Sequence, residues 1–304
     1  MTTTFTGIAV SCFSYLARVH TLYVQAYPPI NYGVDVERTD DFMAGDGPLV
    51  AGFLHALGHP ATLYSNPVAG DPAGRAITTR LAAWGATLAP STAAVHATRT
   101  NTVVVDQSGN RTWFSGLRGI VDELNGVDLD RLSSAPLVYL DCYEVLHDAP
   151  RTILQAALEA GCDVVLNLGG SPPPAWLAEA TRQRRVGVVQ TNADENDPAA
   201  AARTLDALCD LQIADVAVVT AGRRGATGRT SKGASVTTAA AAVEVRQVQG
   251  AGAAFSAALI HSRLSGEDLE GMLRLGCAAG SLWCSRTHDG PLPDAQEISA
   301  LATY

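Results

Sequence analysis

A glycine-alanine-glycine turn followed by an apolar run is the part of this sequence best suited to binding an anion. Gly250, Ala251 and Gly252 lead into "AAFSAALI", which is predicted to be a helix from about Ala253. Glycine adopts backbone angles closed to other residues, so successive N–H groups can converge on a phosphate beside the positive end of a helix. Ala253 stands where such a site could hold an acid or a base, and it can supply neither. A helix start built from small residues for close packing explains the turn equally well.

A second loop with phosphate-binding chemistry follows the predicted strand "VAVVT" at 216–220. Its candidate ligand-binding residues are Thr220, Gly222, Arg223 and Gly225. A hydroxyl, a guanidinium group and glycines at the carboxyl end of a parallel strand suit phosphate binding. The spacing is not that of a P-loop, because no Gly-x-x-x-x-Gly-Lys-Ser/Thr is present. The alternative is a solvated turn whose arginines face water.

A third polar loop follows the predicted strand "VGVVQ" at 186–190. Asn192 and Glu195 stand three residues apart, where an amide and a carboxylate could hold a hydrated Mg²⁺. Taken singly, the pair is weak evidence, since loops after strands are usually polar. The glycine turn, the loop after residue 220 and this Asn/Glu pair are together better explained by one shared cleft at the carboxyl edge of a sheet than by chance.

The order of elements predicts an α/β protein. The runs "LVYLD" (137–141) and "DVVLNL" (163–168) are apolar throughout, as buried parallel strands are. Helical patterns at 149–161 and 197–210 separate the strands, and the second is predicted to start with Asp197 as N-cap and Pro198 in the first turn. This alternation predicts a mainly parallel sheet with helices on both faces.

Two regions lie outside that alternation. Residues 101–114 are predicted to form a hairpin that turns at 108–110, and residues 15–43 have the mixed polarity of extended chain. Together they could form a small sheet over a cleft. Because no linker or repeat divides the chain, we expect one domain over residues 1–304 with a lid from about 12–43 and 98–118.

Composition narrows the class of protein. The formal charge of −9, from 30 acidic and 21 basic residues, argues against a nucleic-acid binder. No apolar run reaches the length of a membrane span, so we expect no membrane association. The N-terminus "MTTTFTGIAV" lacks the features of a signal peptide, and the six cysteines form no Cys-x-x-Cys pair. These observations favour a cytoplasmic protein with reduced cysteines.

Taken together, four segments of the chain resemble the ribokinase-like (PfkB) family of sugar and nucleoside kinases. The family's N-terminal signature is a Gly-Gly turn, a helix ending in Leu-Gly, a strand and then Gly-Asp-Asp-x-x-Gly, and residues 44–74 follow that layout. Asn192–Glu195 matches the family's Asn-x-x-Glu motif, and residues 220–225 match its Thr-x-Gly-x-x-Gly loop. Residues 247–255 align with its C-terminal signature, Asp-Thr-x-Gly-Ala-Gly-Asp-x-Phe.

This resemblance implies a three-layer α/β sandwich with a mainly parallel central sheet and a small β-lid. It further implies ATP (or ADP) and Mg²⁺ in the cleft, and phosphate transfer to a hydroxyl of a small metabolite. The turn at 250–252 would be the anion hole, while the loops at 192–195 and 220–225 would bind the nucleotide and the metal ion. Lids of this fold often pair, so a homodimer through the lid is a further expectation.

The chain departs from the family at the catalytic end of the C-terminal signature. Ala253 stands where the family has the aspartate that takes the proton from the attacking hydroxyl. The aspartate and threonine that open the signature are replaced by Gln247 and Val248. Loss of a positioned base typically costs about 10²–10⁴-fold in rate.

The predicted substrate side has changed as well. The residues that would face the metabolite are Asp46, Gly47, Leu49 and Asn167. Leu49 replaces an asparagine that holds the sugar in the family, and residues 10–18 lack the family's first-strand aspartate. Asp46 beside apolar surface would suit a ligand with a cationic end, although it could instead cap the helix predicted near Pro48.

Three functions are therefore open from the sequence. The first is a PfkB-type kinase with an unusual substrate, because phosphoryl transfer depends mainly on positioning and electrostatic stabilisation. The second is a catalytically inactive pseudokinase that binds a nucleotide or metabolite and acts as a regulatory protein. The third is an enzyme that uses the same cleft for a different reaction.

Overall fold

The computed structural model describes residues 7–91, 95–287 and 290–302. Residues 1–6, most of the segment in which no signal peptide is expected, lie outside this range. The strands are β1 Val10–Phe13, β2 Ala17–Val24, β3 Val36–Ala44, β4 Ala61–Tyr64, β5 Thr87–Leu88, β6 Thr100–Val105, β7 Arg111–Ser115, β8 Leu137–Asp141, β9 Asp163–Asn167, β10 Val186–Asn192, β11 Ala214–Thr220, β12 Ala226–Thr230 and β13 Ser235–Thr238. The helices are α1 Gly47–Ala56, α2 Pro72–Ala83, α3 Ile120–Leu124, α4 Leu129–Leu132, α5 Ala149–Glu159, α6 Leu177–Ala180, α7 Ala200–Asp210, α8 Ala251–Leu264, α9 Leu269–Cys284 and α10 Ala295–Ala302.

A nine-stranded central sheet organises the molecule, with the order β13-β12-β11-β10-β9-β8-β1-β4-β5. The seven strands from β11 to β5 pair in parallel, and β12 and β13 extend one edge in antiparallel pairing. The order places β1 between β8 and β4, although about 120 residues separate β1 from β8 along the chain. The predicted α/β class with a mainly parallel sheet is confirmed.

Apolar layers cover both faces of this sheet, as the fully apolar strand sequences predict. Along β8, Leu137 and Tyr139 belong to one buried cluster, while Val138 and Leu140 belong to the other. The first cluster joins the sheet to α1, α2, α8 and α9, and the second joins it to α3, α4, α5, α6 and α7. Successive strand side chains point to opposite faces, so a strand inside a three-layer protein must be apolar at every position.

A second sheet, in the order β3-β2-β6-β7, contains the two regions outside the α/β alternation. Its outer pairs are antiparallel and its central pair, β2 with β6, is parallel. The hairpin predicted over 101–114 is present, and the N–H of Gly109 donates to the carbonyl of Asp106 at 2.9 Å in its turn. The exact limits of the lid, and its action as a lid, stay predictions.

The predicted start of the helix after β10 is wrong. Helix α7 begins at Ala200 rather than at Pro198, and its N-cap position is Ala199. The Asp197 carboxylate accepts from the N–H of Ala199 at 2.9 Å and pairs with Arg203, so it closes a turn ahead of the helix. The Asp-Pro pair predicted the start of the helix to within two residues. An aspartate side chain that bonds to a nearby backbone N–H can close a turn as well as cap a helix, so the sequence does not distinguish the two.

Helix α8 begins at Ala251, two residues earlier than predicted, which places Ala253 in its first turn.

In the described part of the chain, no helix is both long and apolar enough to cross a membrane.

Candidate active-site cleft

A single large cleft brings the predicted site residues together. Its volume is about 1500 Å³, and it opens at the carboxyl ends of β9, β10 and β11, beside the second sheet and the start of α8. The predicted residues that line it are Asp46, Leu49, Asn167, Asn192, Glu195, Thr220, Gly222, Arg223, Gly225, Gly250, Ala251, Gly252 and Ala253. Gly47 is buried and does not line the cleft.

The turn before α8 has the geometry of an open anion site. Gly250 is the N-cap in the left-handed region (φ 85°), and no side chain caps the helix. A Cβ added to Gly250 would lie 2.6 Å from a methyl group of Leu49, so no larger residue fits there. A Cβ added to Gly252 would meet only the Asp46 carboxylate, at 3.9 Å, apart from its own helix and chain neighbours. The uncapped N–H groups of this turn therefore face space that an anion could occupy.

Buried aromatic packing holds this turn in place. The Trp283 side chain is completely buried, and its Nε1–H donates to the carbonyl of Gln249 at 2.7 Å. Ala253 is buried as well and presents only a methyl group to the first turn. The start of α8 thus has the backbone of an anion site and no ionisable side chain of its own.

The loop at 220–225 forms another wall of the cleft. Residues Gly222–Arg224 form a 3₁₀ turn, and Gly222 and Gly225 both have positive φ. At Gly225, an added Cβ would lie 2.0 Å from the carbonyl oxygen of Thr238. Glycine is required at this position because the backbone of the neighbouring segment leaves no room for a side chain.

The Glu195 carboxylate braces that loop. Its Oε2 accepts from the N–H of Arg223 at 2.8 Å, and the Arg224 guanidinium donates to the Glu195 carbonyl at 2.6 Å. Asn192 lies at the end of β10, exposed to the cleft, with its amide against Gly170. Among the described residues, no group of three or more His, Cys, Asp and Glu side chains is placed to hold a metal ion. A Mg²⁺ here would depend mainly on phosphate oxygens and water, with Asn192 and Glu195 nearby.

The floor of the cleft holds a polar cluster that the sequence analysis missed. Its centre is Asp141, the last residue of β8, whose side chain is completely buried. One carboxylate oxygen accepts from the Ser14 hydroxyl at 2.5 Å and from the N–H groups of Asp46 and Gly47 at 3.0 and 3.3 Å. The other accepts from the Tyr139 hydroxyl at 2.7 Å. All four donors point at one carboxylate, so its oxygens are occupied by the protein.

Burial shapes the acid–base behaviour of this cluster. Loss of solvation, followed by the nearby charge of Asp46, raises the pKa of Asp141 from 3.8 to about 7, despite hydrogen bonds that favour the charged form. Burial and the two carboxylates also raise the pKa of Tyr139 and of Tyr143 well above the ordinary value of 10.0. Both tyrosines therefore remain neutral donors at physiological pH.

Asp46 lies above this cluster and faces the cleft. It occupies the N-cap position of α1, but its side chain makes no capping bond, so the capping role that the sequence left open is wrong. Its Oδ2 accepts instead from the Asn167 amide at 3.0 Å, and the Tyr143 hydroxyl also bonds to the carboxylate. Burial raises the pKa of Asp46, and these two hydrogen bonds oppose the rise.

The sequence and the structure were compared with those of known proteins. The sequence profile of the pfkB family of carbohydrate kinases matches residues 12–295. A search of curated protein sequences found no match. Among solved structures, a microbiome-derived acarbose kinase superposes with a TM-score of 0.78 at 19% identity, covering 98% of this chain and 100% of the other. Ribokinase from Arabidopsis thaliana, complexed with ribose and ATP, gives 0.76 at 16% identity (98% and 99%). The tetrameric inhibited form of phosphofructokinase-2 from Escherichia coli gives 0.71 at 19% (98% and 99%).

The fold is that of the ribokinase-like α/β proteins. Because the profile match spans nearly the whole chain, the protein belongs to the pfkB family of carbohydrate kinases. This confirms the family that the four sequence segments indicated.

A signal for the missed cluster was present in the sequence. The apolar run "LVYLD" predicts a buried strand, and it also ends in an aspartate, at the carboxyl end of a parallel strand where ligands of such sheets bind. The first strand lacks an aspartate, and in the structure the neighbouring strand supplies a carboxylate that is bonded to Ser14, just beyond β1. Strand order, which the sequence did not reveal, makes these two residues neighbours.

Proposed function

We propose that this chain is a PfkB-type phosphotransferase that binds ATP (or ADP) with Mg²⁺ and a small metabolite in the cleft. The inherited reaction is transfer of a phosphoryl group to a metabolite hydroxyl. The observation that carries the proposal is the uncapped turn at 250–252, which faces open space in the same cleft as the loops at 192–195 and 220–225. Backbone N–H groups fixed at such a turn stabilise phosphate charge without reorganisation during the reaction.

The residues present fit a nucleotide more directly than they fit a metal ion. Gly252 leaves room for phosphate oxygens, and the Arg223 guanidinium is exposed on the cleft wall. The Glu195 carboxylate already accepts a backbone N–H, so any Mg²⁺ would arrive with the phosphates and keep several waters. When bound, ATP supplies the phosphoryl group, and the chain supplies orientation, charge stabilisation and exclusion of water.

A second function, a nucleotide-binding regulatory pseudokinase, is favoured by one observation. Ala253 gives the start of α8 no ionisable group at the family's base position. Under either function the protein is expected to be cytoplasmic and to pair through its second sheet, with no nucleic acid and no membrane as partner. The two functions differ in turnover and agree on nucleotide binding.

Calorimetry with MgATP and with MgADP tests both functions. We expect binding by the unmodified protein, dependence of affinity on Mg²⁺, and loss of detectable binding in Gly252→Asp. The added carboxylate would lie in the turn that faces the phosphates, and the open space at Gly252 means that the variant can fold. Gly252→Asn is the matched control, because it adds the same volume without charge and should lose less affinity than Gly252→Asp. Absence of nucleotide binding at millimolar concentration would refute both the kinase and the pseudokinase.

A further inference from the structure

Asp46 is the carboxylate that opens onto the cleft opposite the start of α8. Its Oδ2 lies 3.9 Å from the position of a Cβ on Gly252, the residue before Ala253. It comes from the turn between β3 and α1, on the other side of the cleft floor. A hydroxyl in hydrogen-bond reach of Asp46 would therefore lie at the mouth of the turn formed by Gly250–Gly252.

The surroundings hold this carboxylate in one orientation. The Asn167 amide donates to Oδ2 at 3.0 Å, and the Tyr143 hydroxyl bonds to the same carboxylate. Asn167 is fixed in turn, since its amide also contacts the Tyr139 and Tyr143 hydroxyls at 2.9 and 3.1 Å. A catalytic base must be positioned before its pKa matters, and this network positions Asp46.

Asp141, the other carboxylate of the cluster, is unsuited to contact a substrate. It is completely buried, and its two oxygens already accept from Ser14, Tyr139 and two backbone N–H groups. Asp46 is only half-buried and lines the cleft. Of the two acids, Asp46 alone can reach a bound hydroxyl.

We propose that Asp46 is the general base of this protein and acts from the opposite side of the cleft to Ala253. This proposal rests on the proposed kinase function. The acceptor's O–H bond breaks and its proton passes to the Asp46 carboxylate. The hydroxyl oxygen forms a bond to the γ-phosphorus of ATP, while the bond from that phosphorus to the bridging oxygen breaks and its electron pair leaves with ADP.

The charges around Asp46 favour this role. The titratable groups that face it are Asp141, Tyr139, Tyr143 and Tyr15, and none is cationic. Burial raises the pKa of Asp46, so its carboxylate holds a proton more strongly than an exposed aspartate does. A base whose pKa lies nearer to the working pH is the more effective one, provided that it is still ionised.

The test compares Asp46→Asn with the unmodified protein. ADP release from MgATP is measured with no added acceptor and with ribose, fructose 6-phosphate, adenosine and glucosamine. We expect the fastest rate to fall about 10²–10⁴-fold in Asp46→Asn, while the calorimetric Kd for MgATP changes less than about threefold. The unmodified protein should gain rate with rising pH until Asp46 is ionised, and the variant should lose this dependence, which a structural role would not predict. Asp206→Asn, on the exposed face of α7, is the matched control and should leave rate and Kd unchanged.

A rescue variant keeps the test independent of folding defects. Ala253→Asp in the Asp46→Asn background should restore at least about tenfold of the lost rate, because it places a carboxylate in the first turn of α8, at the mouth of the same cleft. In the unmodified background it should give little gain, since a base is already present. Asp46→Asn with a rate within threefold of normal would overturn the proposal. So would MgATP binding by the unmodified protein without turnover of any acceptor or of water, whereas failure to bind MgATP would instead refute the proposed function.

Discussion

Asp141→Asn should remove a loss of stability that rising pH causes in this protein. The pKa of Asp141 is about 7 in the folded protein and 3.8 for an ordinary aspartate, chiefly because the side chain is buried and secondly because Asp46 is near. The folded state therefore keeps a proton that the unfolded state has already released. The contribution of Asp141 to the free energy of unfolding therefore falls as pH rises from about 4 to about 7, and it is lost above that range.

The magnitude follows from the difference in pKa and from the hydrogen bonds. A rise from 3.8 to about 7, at 1.36 kcal/mol per pKa unit, corresponds to about 4 kcal/mol lost by pH 8. Asparagine keeps one oxygen for Ser14 and the two backbone donors, but its NH₂ cannot accept from Tyr139. That lost bond costs about 1 kcal/mol. We therefore expect the variant to be more stable than the unmodified protein by about 3 kcal/mol at pH 8 and less stable by about 1 kcal/mol near pH 4.

Urea denaturation from pH 4.5 to 8.5 measures this difference, with equal m-values required for the comparison. Asp71→Asn is the matched control. Hydrogen bonds from Thr98 lower the pKa of Asp71 to about 2, so the stability it contributes is present above pH 3.8 and is lost only below the range of the assay. Its difference from the unmodified protein should be independent of pH. A flat difference for Asp141→Asn over the same range would refute the reasoning that burial keeps this acid protonated.

Three further changes have defined outcomes. Trp283→Phe should lower the free energy of unfolding by about 1–3 kcal/mol and weaken MgATP binding, because the Gln249 carbonyl beside the anion turn loses its donor at 2.7 Å. Circular dichroism melting measures the loss of stability, and an unchanged melting temperature would contradict it. Gly225→Ala should destabilise the protein by more than about 2 kcal/mol, since the φ of Gly225 is 89° and the added Cβ would lie 2.0 Å from a backbone oxygen. Gly233→Ala is the control: its added Cβ meets no atom within 4 Å, so it should destabilise the protein less. Burial lowers the pKa of His59 and His261, whose rings bond at 3.0 Å, so the stability that this pair contributes should fall as pH drops below 6.5. His261→Gln should lessen that fall in urea titrations, and a pH dependence equal to that of the unmodified protein would refute this prediction.

The sequence by itself determined the layers of the fold and the loops of the cleft. β8 and the end of β11 lie where the apolar runs predicted them, because a strand buried on both faces must be apolar at every position. The hairpin at β6 and β7 followed from its turn residues for a similarly local reason. The loops at 192–195 and 220–225 share one cleft because the carboxyl ends of parallel strands meet at one edge of a sheet. The turn at 250–252 comes after β13, an antiparallel edge strand, and joins this cleft as the start of α8.

Only the tertiary structure decided what the acidic residues do. Asp46 and Asp141 are 95 residues apart in sequence, and they became a pair because the sheet order sets β8 beside β1 and the start of α1 above both. Glu195 had the right spacing for a metal ligand, yet the fold gives its carboxylate to the N–H of Arg223. A sequence pattern records the type of each side chain and its local backbone. The partner of a buried ionisable group depends instead on which distant segments pack against it. Because a buried group has lost its solvation, the charges and hydrogen bonds of that partner determine whether the group is ionised.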